Sequence, residues 1–292
     1  MATPPPADSD QVLVEANGVT RTLLMNRPKQ LNALSSAMIT GFLRCFTAYE
    51  EDEGVKLLIV KGKGRAFCAG GDVAAVVRSI NNDSWKYSAH FFRNEFLLNY
   101  IIATYNKPQV SLLTGIVMGG GAGVSIHGRF RVVTESTVFA MPETALGLFP
   151  DIGASYFLSR LPGFYVEQEA PNVADEWVAS AIQSLRKASP TSLKISLRSI
   201  REGRTQTVGE CLRREYRMVC HVMRGDFSRD FFEGCRAILL GKDRNPKWMP
   251  PRLEEVHDEV VEKYFSKVDD PEWEDLDLPP RRSHGRRLVP KL

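Results

Sequence analysis

The chain has 292 residues, 43% hydrophobic and 25% charged, with a formal net charge of +3, so it can bury a substantial core and exerts no general pull on nucleic acid. Its five cysteines (Cys45, Cys68, Cys211, Cys220, Cys235) are scattered without a C-x-x-C pair, which argues against a disulfide framework or a zinc site and suits a reducing compartment. No apolar run approaches bilayer length, so membrane insertion is not expected.

Residues 1–10, rich in proline and acid, lack an apolar signal core and read as a disordered lead. Val12 to Ala16 and Val19 to Leu24 then form two strands around an Asn17-Gly18 turn. Leu34, Met38, Phe42 and Phe46 recur at helical spacing, with Ser35 or Ser36 as cap. Val55 to Val60 reads as a buried strand, and two loops follow, Gly62 to Arg65 and Phe67 to Asp72. Val73 to Ile80 and residues 87–104 read as helices, and Val110 to Ile116 as a strand. The glycine cluster Gly119-Gly120-Gly121-Ala122-Gly123 opens an apolar helix. Arg131 to Ala140 reads as a strand and Met141 to Pro150 as an irregular loop. Strands alternating with helices at this spacing give an α/β fold with right-handed crossovers.

From Ser189-Pro190 the pattern turns helical, with segments at about 190–201, 207–223, 229–240 and 253–265. Residues 189–266 are therefore read as a C-terminal helical region, and 267–292 as a flexible tail. That tail carries six acids between Asp269 and Asp277 and five bases in its last twelve residues, a pattern expected of a solvated segment. It closes on Pro290-Lys291-Leu292, close to the Ser-Lys-Leu peroxisomal address.

The glycine cluster does not match known nucleotide loops. Ile126 stands where a G-x-G-x-x-G fingerprint needs its last glycine, and no Gly-Lys-Ser/Thr follows. His127 likewise spoils a G-x-S-x-G elbow around Ser125, so a serine nucleophile is not expected and His127 reads as a structural histidine. Glycines before a helix do let a ligand approach free backbone N–H groups. Gly70-Gly71 and Gly119-Gly120-Gly121 both stand between strand and helix, and converging they would offer paired donors to an oxyanion. Each alone reads as a tight turn.

Four ordered motifs decide between these readings: Asn26-Arg27-Pro28 with Leu31-Asn32-Ala33-Leu34, Phe67 to Asp72, Met118 to Gly123, and Met141-Pro142-Glu143-Thr144 with Gly147 to Asp151. Over residues 11–165 the chain resembles the crotonase superfamily, and its details resemble 3-hydroxyisobutyryl-CoA hydrolases. These details are Phe92-Arg93-Asn94-Glu95, Ser125 to Arg131, Ser189 to Lys194, Glu215-Tyr216-Arg217 and Glu233 to Ala237. The resemblance implies a ββα spiral core and an acyl-CoA substrate, with CoA part of the substrate and no separate cofactor or metal. It implies backbone oxyanion donors at Gly71 and Gly120, and a carboxylate at Glu143 acting as nucleophile or general base on the thioester. Asp151 would position the substrate hydroxyl or assist protonation, and Glu95 would help bind substrate. Related hydratases use two glutamates; Gly123 stands at the second position, which disfavours hydration and favours hydrolysis in valine or fatty-acid breakdown. Read from pattern alone, Glu95 is equally a surface helical acid, and Asp151 has an N-cap of the following helix as its alternative, a role that can coexist with the first. Lys29, Lys61, Lys63 and Arg65 are candidates to meet the CoA phosphates.

Plant relatives of this kind can be peroxisomal, which makes Pro290-Lys291-Leu292 a candidate import-receptor ligand. After Leu161 to Tyr165 the chain departs from the family's pattern. Residues 166–188 form a junction where about 80 residues are absent, on the scale of half a typical domain. The expected core is therefore incomplete and should expose apolar faces. The alternatives are a hydratase or isomerase, or a shortened non-catalytic chain that binds CoA or other subunits; a homo-oligomer is also expected.

Overall fold

The computed structural model describes residues 11–82, 85–161 and 176–281. The expected lead at 1–10, residues 166–175 of the 166–188 junction and the Pro290-Lys291-Leu292 signal lie outside the described residues.

β1 (Val12–Asn17) and β2 (Thr20–Met25) pair antiparallel, with Gly18 at φ 55° in the turn between them. The chain then repeats one step. α1 (Ser36–Glu51) leads into β3 (Leu57–Gly62), which joins the first sheet, and β4 (Ala66–Cys68) starts a second. After α2 (Val73–Asn82) and α3 (Trp85–Ala103), β5 (Gln109–Leu113) adds to the first sheet and β6 (Ile116–Met118) to the second. After α4 (Gly120–Ile126), β7 (Phe130–Val133) and β8 (Val138–Ala140) do the same. The result is a five-stranded sheet ordered β1-β2-β3-β5-β7 and a three-stranded parallel sheet ordered β4-β6-β8. This is a ββα spiral.

Two expected strands are each two strands in different sheets. Val110 to Ile116 divides at Gly115, whose φ of 68° and 2.0 Å approach of an added Cβ to the Arg65 carbonyl permit only glycine. Arg131 to Ala140 divides at a Thr134–Thr137 turn closed by the Thr137 hydroxyl. The expected Phe67 loop begins as the short strand β4.

α1 is capped by Ser35, whose side chain accepts from the Met38 N–H, and Leu34, Met38, Phe42 and Phe46 are all fully buried as their spacing requires. Each buried side chain of this kind contributes about 1.5–3 kcal/mol. α6 (Glu176–Lys187) was not anticipated, and α5 (Ala154–Leu158) is the helix that the N-cap reading of Asp151 implied. The C-terminal helices are α7 (Pro190–Gly203), α8 (Val208–Arg224), α9 (Asp230–Cys235) and α10 (Asp258–Phe265). The expected helix at 229–240 changes to a π turn over Arg236–Leu240, and α10 starts later than expected, behind a 3-10 turn at Leu253–Glu255. α8 packs along α3, with Tyr216 edge-on to Phe96.

The expected flexible tail is ordered over its described part, 267–281. Val268, Leu276 and Leu278 are buried there, and Trp273 stacks on Tyr216. Its acids find partners: Asp270 and Glu272 bind Lys86, Glu274 meets Arg93, and Asp275 pairs with Arg217. The acidic stretch is part of a strap packed over α3 and α8, with Glu272 and Glu274 still facing water at its rim.

β7 and β8 are the last strands of their sheets. Phe130, Val132, Val133, Val138 and Phe139 are exposed on them. Among the described residues nothing covers this edge.

Candidate active site

The first motif builds the floor of the site. Leu31 and Asn32 both have left-handed φ values, 52° and 56°. The buried Asn32 accepts from the Arg27 N–H and donates to the carbonyls of Lys63 and Ala66. Arg27 in turn donates to Ala33 O and pairs with Asp72 at 3.1 Å. Leu34 then clamps the second motif by donating to Gly70 O at 2.8 Å and accepting from Asp72 N at 2.9 Å. Gly71 is thereby held with its backbone nitrogen 3.2 Å from where a Cβ on Gly120 would stand. Gly120 opens α4, where the first N–H groups have no intrahelical partner. The two glycine loops converge.

The space around them is filled by carboxylates. An added Cβ on Gly120 would lie 2.3 Å from Glu95 Oε1, and one on Gly119 would lie 2.8 Å from Glu143 Oε1. Glycine at both positions is what admits these side chains. Glu95 comes from the middle of α3, Glu143 from the first position of a 3-10 turn (Glu143–Leu146), and Asp151 from the loop before α5. All three are at most 6% exposed. The surface-acid reading of Glu95 is therefore wrong, and α5 is capped at Gly153 rather than at Asp151.

None of the three makes an ion pair among the described residues, and Glu95 Oε1 and Glu143 Oε2 have no hydrogen-bond partner. Burial raises Glu95 and Glu143 from 4.5 to about 8, with the Glu95 charge adding to the effect on Glu143. Asp151 is raised well above the usual carboxylate range by burial, then by the charges of Glu95, Glu143 and Glu215. The arrangement favours a proton-sharing cluster in which acid and base coexist near neutral pH. Among the described residues no group of three or more His, Cys, Asp or Glu is arranged to hold a metal ion.

Sequence reasoning missed what holds Asp151 in place. Glu215 on α8 accepts from Gly153 N (2.6 Å), Ser155 N (3.0 Å) and the Ser155 hydroxyl, capping α5 from a distant helix. His127 Nε2 meets Ile152 O at 2.6 Å, and Ile152 has a left-handed φ of 56°. Burial lowers the His127 pKa to about 4, so the ring stays neutral and structural, as expected. Ser125 points its hydroxyl back to Gly121 O and attacks nothing. Of the four cations proposed for phosphate, Lys61 pairs with Glu15. Lys29, Lys63 and Arg65 are exposed on neighbouring loops, which approach where a Cβ on Gly64 would lie 3.1 Å from Pro28 Cβ.

The model of the enoyl-CoA hydratase/isomerase family matches residues 20–167 and 165–265. The 3-hydroxyisobutyryl-CoA hydrolase 1 of Arabidopsis thaliana is 50% identical over 375 residues, covering 98% of this chain and 99% of that one. Because that alignment is longer than the 292-residue chain, the relative carries residues with no counterpart here, and the two family matches meet where the pattern departs. The small ribosomal subunit protein mS47 of the same plant is 34% identical, covering 92% of this chain and 88% of that one. Among solved structures, a carnitinyl-CoA dehydratase from Mycobacterium thermoresistibile superposes with a TM-score of 0.81 at 31% identity, covering 92% of this chain and 99% of that one. The chain belongs to the enoyl-CoA hydratase/isomerase family, on its 3-hydroxyisobutyryl-CoA hydrolase branch.

Proposed function

We propose that the carboxylate chamber hydrolyses 3-hydroxyisobutyryl-CoA to 3-hydroxyisobutyrate and CoA, the substrate for which its 50%-identical relative is named. The observation that carries the reading is the placement of three buried carboxylates against two converging backbone donors. The thioester carbonyl oxygen sits between the N–H groups of Gly71 and Gly120, which stabilise the negative charge that develops there. Glu143, when ionised, acts on the carbonyl carbon directly or through a water. Asp151, kept protonated by burial and by neighbouring charge, supplies the proton to the departing thiolate. Glu95 lines the same chamber and helps bind the acyl group. Hydration is disfavoured because Gly123 carries no second glutamate.

Thiol release from 3-hydroxyisobutyryl-CoA by the purified protein tests this. Glu143→Gln is expected to lower kcat by about 10²- to 10⁴-fold, the range for a general acid or base. A variant as active as the wild type would remove Glu143 from the chemistry. A role in valine breakdown is part of the same proposal. So is import into peroxisomes through Pro290-Lys291-Leu292, which a fluorescent fusion lacking that tripeptide would lose.

A further inference from the structure

Asn99 lies one helical turn beyond Glu95 on α3 and is fully buried, yet neither its Nδ2 nor its Oδ1 has a hydrogen-bond partner. A buried amide left in this state destabilises the ligand-free fold, and native proteins rarely keep one without use. Its position is specific. A Cβ added to Gly123 would stand 2.6 Å from Asn99 Nδ2 and 3.1 Å from Ile152 Cβ, the residue after Asp151. Asn99 thus occupies the volume that any side chain at residue 123 would need, and Ile152, next in sequence to Asp151, lies against the same point.

We propose that Asn99 is a specificity-determining residue that holds the 3-hydroxyl of the acyl group. The inference rests on the hydrolase reading above. An aliphatic hydroxyl both donates and accepts, and a carboxamide presents one acceptor and one donor side by side. Hydroxyl and amide satisfy each other where the chain's own groups leave the amide without a partner. The absence of a side chain at Gly123 has a matching reason: it leaves room for Asn99 and for the hydroxylated carbon.

The test compares kcat/KM for 3-hydroxyisobutyryl-CoA and isobutyryl-CoA, which differ only in that hydroxyl, in wild type and in Asn99→Leu. The wild type is expected to prefer the hydroxylated thioester by at least about 10-fold, since a site built to hydrogen-bond a hydroxyl rejects the analogue lacking it. Asn99→Leu is expected to lower turnover of the hydroxylated substrate on the order of 10- to 100-fold. Turnover of isobutyryl-CoA should change little, so the preference disappears. The melting temperature of ligand-free Asn99→Leu should equal or exceed that of wild type, because an unpartnered polar group has been removed.

Equal loss on both substrates would place the amide on the attacking water and overturn the proposal. A wild-type preference near one would overturn it whether or not the variant folds. Absence of thiol release from either substrate by wild-type protein would instead remove the hydrolase reading beneath it, a distinct result.

Discussion

Three carboxylates buried without a cation oppose folding wherever they are ionised together, and the cost shows in their titration. Glu95 and Glu143 bind protons more tightly folded than unfolded, because burial raises both from 4.5 to about 8. Their contribution to stability is therefore complete below about pH 4.5 and is lost as pH rises through about 8. Glu95→Gln removes one ionisable group from the cluster and should raise the melting temperature more at pH 8.5 than at pH 5. Thermal denaturation at the two pH values checks this, and an advantage that shrinks with pH would contradict the buried cluster. Gly120→Ala tests the donors, since its methyl would meet Glu95 Oε1, Leu34 Cδ1 at 3.0 Å and Gly71 N. A kcat loss of about 10²- to 10³-fold is expected, as for removal of an oxyanion donor. At this scale the sequence was highly legible: Gly71, Gly120, Glu95, Glu143 and Asp151 were all expected, and the structure brings them together. Asn99 was not, because a lone amide in an apolar helix carries no pattern until its missing partners are seen.

Elements position these residues through bonds between segments distant in sequence. Glu215 on α8 holds the Asp151 loop by accepting from Gly153 and Ser155, about 60 residues earlier in the chain. Glu215→Ala leaves those buried N–H groups unpaired and should cost about 3 kcal/mol of stability. It should also lower kcat more than it changes KM, because it loosens the position of Asp151. Denaturant titration together with steady-state kinetics checks both, and unchanged kcat in a folded variant would separate Glu215 from the site. Helices announced by apolar spacing, such as α1 and α3, were legible in the sequence. The split of Val110 to Ile116 into β5 and β6 was not, since both strands are apolar and only Gly115 marks the bend. The ordered strap at 267–281 was also hidden, because acids that pair with Lys86, Arg93 and Arg217 look the same in sequence as acids facing water.

At the scale of the whole molecule, the described residues leave one sheet edge open. β7 and β8 expose Phe130, Val132, Val133, Val138 and Phe139 on strands with unpaired backbone groups, a combination that favours association between copies. Val132→Lys with Phe139→Lys should shift the sedimentation profile toward smaller species at equal concentration while leaving thiol release per chain unchanged. An identical profile would show that the edge is not a contact. The ββα spiral was legible from the order of four motifs, whereas the edge that no described residue covers needed the structure to locate. Relatives of this chain are named both for hydrolysis and for the ribosome. The most direct measurement follows 3-hydroxyisobutyryl-CoA and an enoyl-CoA side by side with purified, folded protein. Thiol release from the first without hydration of the second is the result expected from one carboxylate at Glu143 and none at residue 123. Hydration without thiol release, or no turnover of either, would contradict the account.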